Sequence, residues 1–438
     1  MLKYLNLHNV GPSSEMSLKF SSRLNLITGD NGLGKSFLLD VAWWALTRKW
    51  PHDLNPQLNS GYPAKPLDIK QPASIEFSVD GKVKDISYKS TYSPREAAWL
   101  GRSGRPWNPG LVIYAHADGG FSVWDPARNY WIPKVDIDVQ ERLPGYVFSE
   151  REVWDGLEVP INGKPTVVCN GLIRDWANWI REAGNDALRM EKVLEVLSPS
   201  DNPLDILKPG PLTRPFPNDV RDVPSIKMPY GSDVPIVHAS SGVRRIVALA
   251  YMFMWCWKEH AIAAEGLGEK RTNQVILIID EIESHLHPRW QRSILKSVLS
   301  LASIQHSTAK IQLIAATHSP LVLASAEPLF DAKKDSWFDL DLEISNNKKK
   351  TPVATLQKRP FVKHGDISNW LTSEAFDFKS ARSKEAENAI EKARAFLLAG
   401  GTKLETALKI NVELLAAGMS DIDPFWVRWG AFLEKLKP

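Results

Sequence analysis

Cysteine is nearly missing from this chain: Cys169 and Cys256 are the only two in 438 residues. They stand far apart with no ligand spacing around them, which argues against a disulfide framework or a zinc site and for a reducing compartment. Long apolar runs are missing as well. The most apolar, Ile246 to Trp257, has twelve residues, too few to span a bilayer. The stretch after Met1 runs straight into strand-like sequence with no signal-peptide core, so the expectation is a soluble, cytoplasmic protein with no membrane partner. Neither sign of charge is in marked excess: 54 basic against 51 acidic side chains leave a net +3, too little to argue for a nucleic-acid or membrane surface. No heptad pattern lasts more than two or three turns between residues 40 and 235, which excludes long coiled-coil arms there. Tryptophan, by contrast, is abundant at 17 residues. These are not interleaved with basic residues as a base-stacking platform requires, and they read as core and interface anchors.

What is there begins with Gly29-Asp30-Asn31-Gly32-Leu33-Gly34-Lys35-Ser36, a G-x-x-x-x-G-K-S loop between two apolar runs, Leu24 to Thr28 and Phe37 to Trp44. Strand, glycine loop and helix in that order make a phosphate cradle. The glycines let successive N–H groups turn inward at phosphate oxygens, Lys35 adds charge for the β/γ-phosphates, and Ser36 offers a hydroxyl to Mg²⁺. The expected ligand is a nucleoside triphosphate. Upstream, Leu5 and Leu7, then Met16, Leu18 and Phe20, alternate with polar residues around a Gly11-Pro12 turn, as two strands do. Downstream, strand candidates at Ala73–Val79, Val83–Tyr88 and Leu111–Ala117, with a hairpin turn at Asp118-Gly119-Gly120, predict an inserted antiparallel β lobe over 51–135. Residues 170–197 have a helical pattern, and nine prolines between Pro199 and Pro235 read as an extended connector. The region 136–235 is thus expected to be a helical insertion with a Pro-rich connector.

The second half carries further chemistry. Ser240-Ser241-Gly242-Val243-Arg244-Arg245 opens a helix whose first turn is an anion-binding candidate. Val275-Ile276-Leu277-Ile278-Ile279 reads as a strand buried on both faces, ending in Asp280-Glu281. Ligands of parallel α/β sheets sit at the carboxyl ends of strands. Asp280 there can hold Mg²⁺ through its water shell, and Glu281 can polarise the attacking water. A second buried strand, Ile311 to Ala316, delivers Thr317-His318-Ser319-Pro320, placing His318 to sense the γ-phosphate or the lytic water. His285 and His287, two residues apart near Glu283, suit a structural or interface role better than metal ligation.

Phosphate loop, Ser-Ser-Gly helix, Asp-Glu strand and histidine strand, in that order, resemble the ABC-type ATPase head of the SMC, RecF, RecN and OLD proteins. Ile279-Asp280-Glu281-Ile282-Glu283-x-His285-Leu286-His287-Pro288 and Thr317-His318-Ser319-Pro320 are most similar to the OLD-like branch. That branch includes prokaryotic AAA-family ATPases of antiphage-defence operons, Septu-like ones among them. The resemblance implies an α/β P-loop head built from 1–50 and 236–325, with a C-terminal mixed then helical cap or partner surface over 326–438. It implies that Ala239 to Arg245 is the signature motif, although Val243 and Arg244 stand where a second glycine and a glutamine or glutamate are usual. It implies that Leu286-His287-Pro288 belongs to the D-loop; no glutamine sits in an unmistakable Q-loop, and neither of the two candidates, Gln71 and Gln140, is assigned to it. It also implies at least a homodimer, with ATP between the phosphate loop of one copy and the signature motif of the other.

The expected cofactor-binding residues are therefore Gly29 through Phe37 with Ser240, Ser241 and Gly242. The expected metal-binding residues are Ser36 and Asp280, and the expected catalytic residues are Lys35, Glu281 and His318. The expected function is an ATPase that regulates a separately encoded nuclease or toxin effector in antiphage defence. The alternative is a RecF-like DNA-repair ATPase, which the lack of a basic stripe disfavours. Lys348-Lys349-Lys350 reads as a solvated loop, and the D-x-D pairs Asp339/Asp341 and Asp421/Asp423 lack the context of a built-in nuclease.

Overall fold

The computed structural model describes residues 1–80, 85–101, 107–130, 143–161, 163–199, 202–305, 309–344 and 352–436. Lys348-Lys349-Lys350 and Gln140 lie outside them. The described chain forms two compact units, Met1–Lys363 and His364–Pro438.

In the first unit, β1 (Leu2–Val10) and β2 (Ser13–Lys19) bury Leu5, Leu7, Met16 and Leu18 and turn their polar partners outward, the period of two expected of them. The chain then enters β3 (Leu24–Gly29), the glycine loop and α1 (Lys35–Thr47), followed by the single turn α2 (Pro51–Leu54). Next come β4 (Ser74–Val79), β5 (Ile86–Ser93) and β6 (Ala98–Leu100), then β7 (Leu111–Ala115), β8 (Phe121–Trp124), α3 (Pro126–Asn129) and β9 (Tyr146–Phe148).

These strands do not form one inserted lobe. β4, β5 and β6 extend the N-terminal hairpin into a five-stranded antiparallel sheet of order β2-β1-β4-β5-β6, with Leu5 opposite Phe77 and Leu7 opposite Ile75. β7 instead pairs in parallel with β15 (Gln274–Ile279) inside a second, eight-stranded sheet. All five residues of β7 are buried, as an interior strand of a covered sheet requires, whereas β5 buries only Ser90.

Beyond β9, α4 (Glu150–Asp155) starts with a capping box between Ser149 and Glu152, and β10 (Leu157–Ile161) and β11 (Lys164–Cys169) make a separate hairpin. The expected helical stretch is two helices, α5 (Leu172–Glu182) and α6 (Asn185–Leu197), broken at left-handed Ala183. The proline-rich connector is more structured than its composition implies. It folds into a small sheet of β12 (Lys208–Pro209), β13 (Ser225–Lys227) and β14 (Asp233–Pro235), with Val223 and Ile226 buried. Proline is tolerated at such short edges because few ladder N–H groups are needed.

The long helix α7 (Ser241–Gly266) leads to β15, then α8 (Pro288–Gln305), β16 (Lys310–Ala316), α9 (Pro320–Ala326), β17 (Asp335–Ile344) and β18 (Pro352–Arg359). The large sheet runs β18-β17-β3-β16-β15-β7-β8-β9; the strands from β17 to β7 are parallel and both margins antiparallel. The strand-like pieces after 326 are thus margin strands of this sheet. α1 is buried almost all round, from Leu38 to Leu46, because it lies between the two sheets and shares one apolar cluster with Leu7, Phe77, Ile276 and Ile314.

The second unit holds α10 (Ile367–Leu371), α11 (Lys384–Leu398), α12 (Leu404–Ala416) and α13 (Phe425–Leu436). The last three close on Ile390, Ala407, Leu414, Phe425 and Trp429, with Gly400-Gly401 marking the break between α11 and α12.

Candidate functional site

Three adjacent parallel strands, β3, β16 and β15, end side by side, and each hands its next residues to one place. β3 ends at Gly29, where φ is +133° and a Cβ would stand 2.3 Å from the Leu340 carbonyl oxygen; both backbone angle and space demand glycine. Gly34, at φ +101°, takes the N-cap position of α1 without a side-chain cap, so first-turn N–H groups stay available to an anion. Asp30, Asn31 and Gly32 are exposed, Leu33 is buried, and Phe37 packs beneath the Gly11 turn, where a Cβ would meet its ring at 2.4 Å.

Lys35 is buried and its Nζ donates to the Gly29 and Asp30 carbonyls, each at 2.7 Å. Burial draws its pKa down, while Asp280, Asp30, Glu283 and Glu281 pull it back up. Its hydrogen bonds go to neutral oxygens. Asp280 is 2% exposed, and its Oδ1 has no hydrogen-bond partner. Burial, reinforced by the Glu281 charge, raises the Asp280 pKa; the Ser36 hydrogen bond and Arg245 oppose the shift. A buried carboxylate oxygen without a partner, on a carboxylate that a serine hydroxyl also touches, makes a donor set for a cation. Oxygen donors suit Mg²⁺, which keeps several waters and asks the protein for only one or two ligands. The residues present fit that ion.

Glu281 stands half-buried at φ +47°, a left-handed angle rare outside glycine. Such strain persists only where neighbours enforce it. Here Arg245, one turn into α7, donates Nη2 to the carbonyls of Asp280 (2.8 Å) and Glu281 (3.2 Å) and Nη1 to that of Ala117 (3.2 Å). From β16, Thr317 Oγ1 donates to Glu283 Oε2 at 2.7 Å and the His318 N–H to Glu283 Oε1 at 2.5 Å. His318 itself is half-buried. Desolvation first, and then the Lys35 charge, lower its pKa, so the ring is neutral at pH 7.

Lys35, Ser36, Asp280, Glu281 and His318 are thus brought together. Ser240, Ser241 and Gly242 are placed elsewhere, at the head of α7. Ser240 and Ser241 are exposed, Ser240 Oγ accepts from the Val243 N–H at 3.5 Å, and Gly242 packs so tightly that a Cβ would lie 2.5 Å from the His285 carbonyl oxygen. His285 is also left-handed, at φ +63°, and His287 Nδ1 accepts from the Arg289 N–H at 3.4 Å.

Glu283 and Arg245 lie inside the sequence motifs, which by themselves mark no role for either. Asp40, one turn beyond Ser36 in the apolar face of α1, is in none of those motifs. Asp40 is buried, accepts from Tyr114 Oη at 2.9 Å, and has its pKa pushed up to about 7 by burial. A lone acid in that apolar run was the available signal.

A glycine loop, a serine-linked acid and a neighbouring glutamate at adjacent strand ends are the parts of an AAA-type ATPase. The chain belongs to the family described as "AAA domain, putative AbiEii toxin, Type IV TA system", whose model matches residues 24–324. It is similar to the "Retron Vc95 probable ATPase" of Vibrio cholerae serotype O1 biovar El Tor, 30% identical over 118 residues that cover 25% of this chain and 21% of that protein. It is also similar to the "Septu protein PtuA" of Bacillus mycoides (strain KBAB4), 32% identical over 139 residues that cover 31% of this chain and 16% of that protein. The chain thus matches about a fifth of the length of the first relative and about a sixth of the second. Solved structures similar to it include the SMC head domain from Thermotoga maritima (TM-score 0.37, 15% identity, 82% of this chain and 99% of that one). The recombination mediator RecF is another (TM-score 0.38, 12% identity, 82% of this chain and 98% of that one). Among the described residues no helix is long and apolar enough to cross a membrane.

Proposed function

We propose that this chain binds and hydrolyses MgATP at Gly29–Ser36, that two copies share each nucleotide, and that nucleotide state controls a separately encoded effector in antiphage defence. The observation that carries the first step is the partnerless Oδ1 of buried Asp280 beside the Ser36 hydroxyl, next to a lysine bonded only to carbonyls. Lys35 exchanges those carbonyls for phosphate oxygens, and Ser36 and Asp280 hold the metal. Bound Mg²⁺ supplies neutralisation of phosphate charge. Glu281 takes a proton from the attacking water, and neutral His318 hydrogen-bonds the γ-phosphate or that water. Glu283 positions His318 by gripping its backbone N–H.

For the second step, Ser240 and Ser241 are exposed at the head of α7, where first-turn N–H groups suit a phosphate brought by a partner copy. The defence role and the effector rest on the retron and Septu relatives and on the motifs shared with their branch. The test pairs two variants. Lys35→Ala is expected to abolish ATP binding, and Glu281→Gln to retain binding while turnover falls at least about 100-fold. Unaltered hydrolysis by Glu281→Gln would overturn the catalytic assignment. A pull-down of the Glu281→Gln protein from its host with ATP tests the effector.

A further inference from the structure

The two arginines one turn into α7 are bound in different directions. Arg245 donates to the carbonyls of Ala117, Asp280 and Glu281. Arg244 lies on α4: its guanidinium stacks over the Trp154 ring at 4.9 Å, and Nη2 donates to Glu150 Oε1 at 3.0 Å. That hold is light. The Arg244 and Glu150 side chains are 38% and 56% exposed, and an ion pair so open to water contributes little to stability. Nε shares an edge of the guanidinium with Nη2. Shielded where it lies, it has no hydrogen-bond partner among the described residues, whereas such an edge is shaped to give both its N–H groups to one anion.

Charge and reach both favour a second position for it. At the strand ends Lys35 is acted on by four carboxylates, Asp280, Asp30, Glu283 and Glu281. Arg245 is committed to neutral carbonyls, and His318 is neutral at pH 7. A triphosphate brings more negative charge, and a guanidinium that arrives at the γ-phosphate stabilises the transition state of its transfer. Long side chains of a helix lean towards its N-terminus, and one turn rises only about 5.4 Å. Arg244 therefore sweeps the exposed first turn at Ser240 and Ser241, the part of α7 offered to a partner copy.

We propose that Arg244 acts in trans: latched onto Glu150 and Trp154 while the chain is single, it swings onto the γ-phosphate held by the partner copy and stabilises the charge that develops during hydrolysis. This rests on the shared-nucleotide reading and adds to it a group that only the second copy supplies. Leaving α4 costs little, because Glu150 is already within reach of water. Arrival gives Nε and Nη2 an acceptor each. A lone chain holding ATP is then idle, and turnover begins only on pairing.

The test mixes two variants of the full chain. Arg244→Ala is expected to keep ATP binding, measured by equilibrium titration, while turnover falls at least about 100-fold. Glu281→Gln is slow for a different reason, the loss of its base. In a pair made of one copy of each, one site combines an intact Glu281 with the arginine of the other copy. Premixed in equal amounts before ATP is added, the two variants are expected to turn over at least about 10-fold faster than either alone. A merely structural role for Arg244 gives no such recovery. Absent recovery, or wild-type turnover by Arg244→Ala alone, would overturn the role in trans. Glu150→Gln weakens the latch. Added to Glu281→Gln, it is expected to lower the ATP concentration at half-maximal dimerisation about 3-fold, followed by light scattering. An unchanged or raised midpoint would overturn the latch and leave the role in trans standing. A Glu281→Gln protein that stays monomeric at saturating ATP would overturn the shared-nucleotide reading and this inference with it; a dimer without recovery in the mixture overturns this inference alone.

Discussion

Glu283 shows how one side chain sets the position of another without facing the substrate. Its two oxygens accept from Thr317 Oγ1 and the His318 N–H, so the carboxylate spans the ends of β15 and β16. A glutamine offers one acceptor oxygen and an amide that meets a donor, which costs about 1–3 kcal/mol at a buried pair. Glu283→Gln is therefore expected to lower kcat about 10-fold with little change in KM, as measured by steady-state ATP hydrolysis. Asp40 acts on stability. Its pKa is raised from 3.8 to about 7 in the folded chain. Between those values the native state holds a proton that the unfolded state has released, so stability falls as pH climbs through that window. Asp40→Asn, which keeps an acceptor for Tyr114, is expected to flatten that slope in denaturant melts from pH 4 to 7. Neither residue announced its role in the linear text. The polar partners of Glu283 lie 34 and 35 residues on, and Tyr114, which donates to Asp40, lies 74 residues on in β7.

At the scale of elements, the head of α7 packs directly on the turn at His285. Gly242→Ala gains about 1 kcal/mol of helix propensity. It also drives a methyl to 2.5 Å from a backbone carbonyl, an overpacking that costs about 1–3 kcal/mol. Net destabilisation on the order of 1 kcal/mol is expected in urea unfolding, together with slower ATP turnover. Strands also show where pattern reading succeeds. Leu24 to Thr28, Val275 to Ile279 and Ile311 to Ala316 are runs buried on both faces and could be read as interior parallel strands. β4 and β7 could not be told apart by position in the chain. Both looked like members of one lobe, and they pair in different sheets because a neighbouring strand, not the local sequence, completes each ladder.

For the whole molecule, the proposal of a shared nucleotide makes a direct demand. Glu281→Gln with ATP is expected to double in mass by light scattering. Adding Ser241→Arg, at an exposed position, is expected to return it to monomer while leaving ATP bound; a persistent dimer would count against contact in trans. The convergence of these side chains was legible without coordinates, since each of Lys35, Asp280, Glu281 and His318 follows a buried strand by register, and strand ends in a parallel sheet converge. What depends on distant partners was not legible. The left-handed Glu281 is held by an arginine from another element, and the proline-rich connector finds a small sheet. Local sequence determined which chemistry each strand end carries, because side-chain type and period are local properties. The tertiary structure alone decided which backbone groups, unpaired atoms and empty spaces face one another, because those depend on distances between residues far apart in the chain.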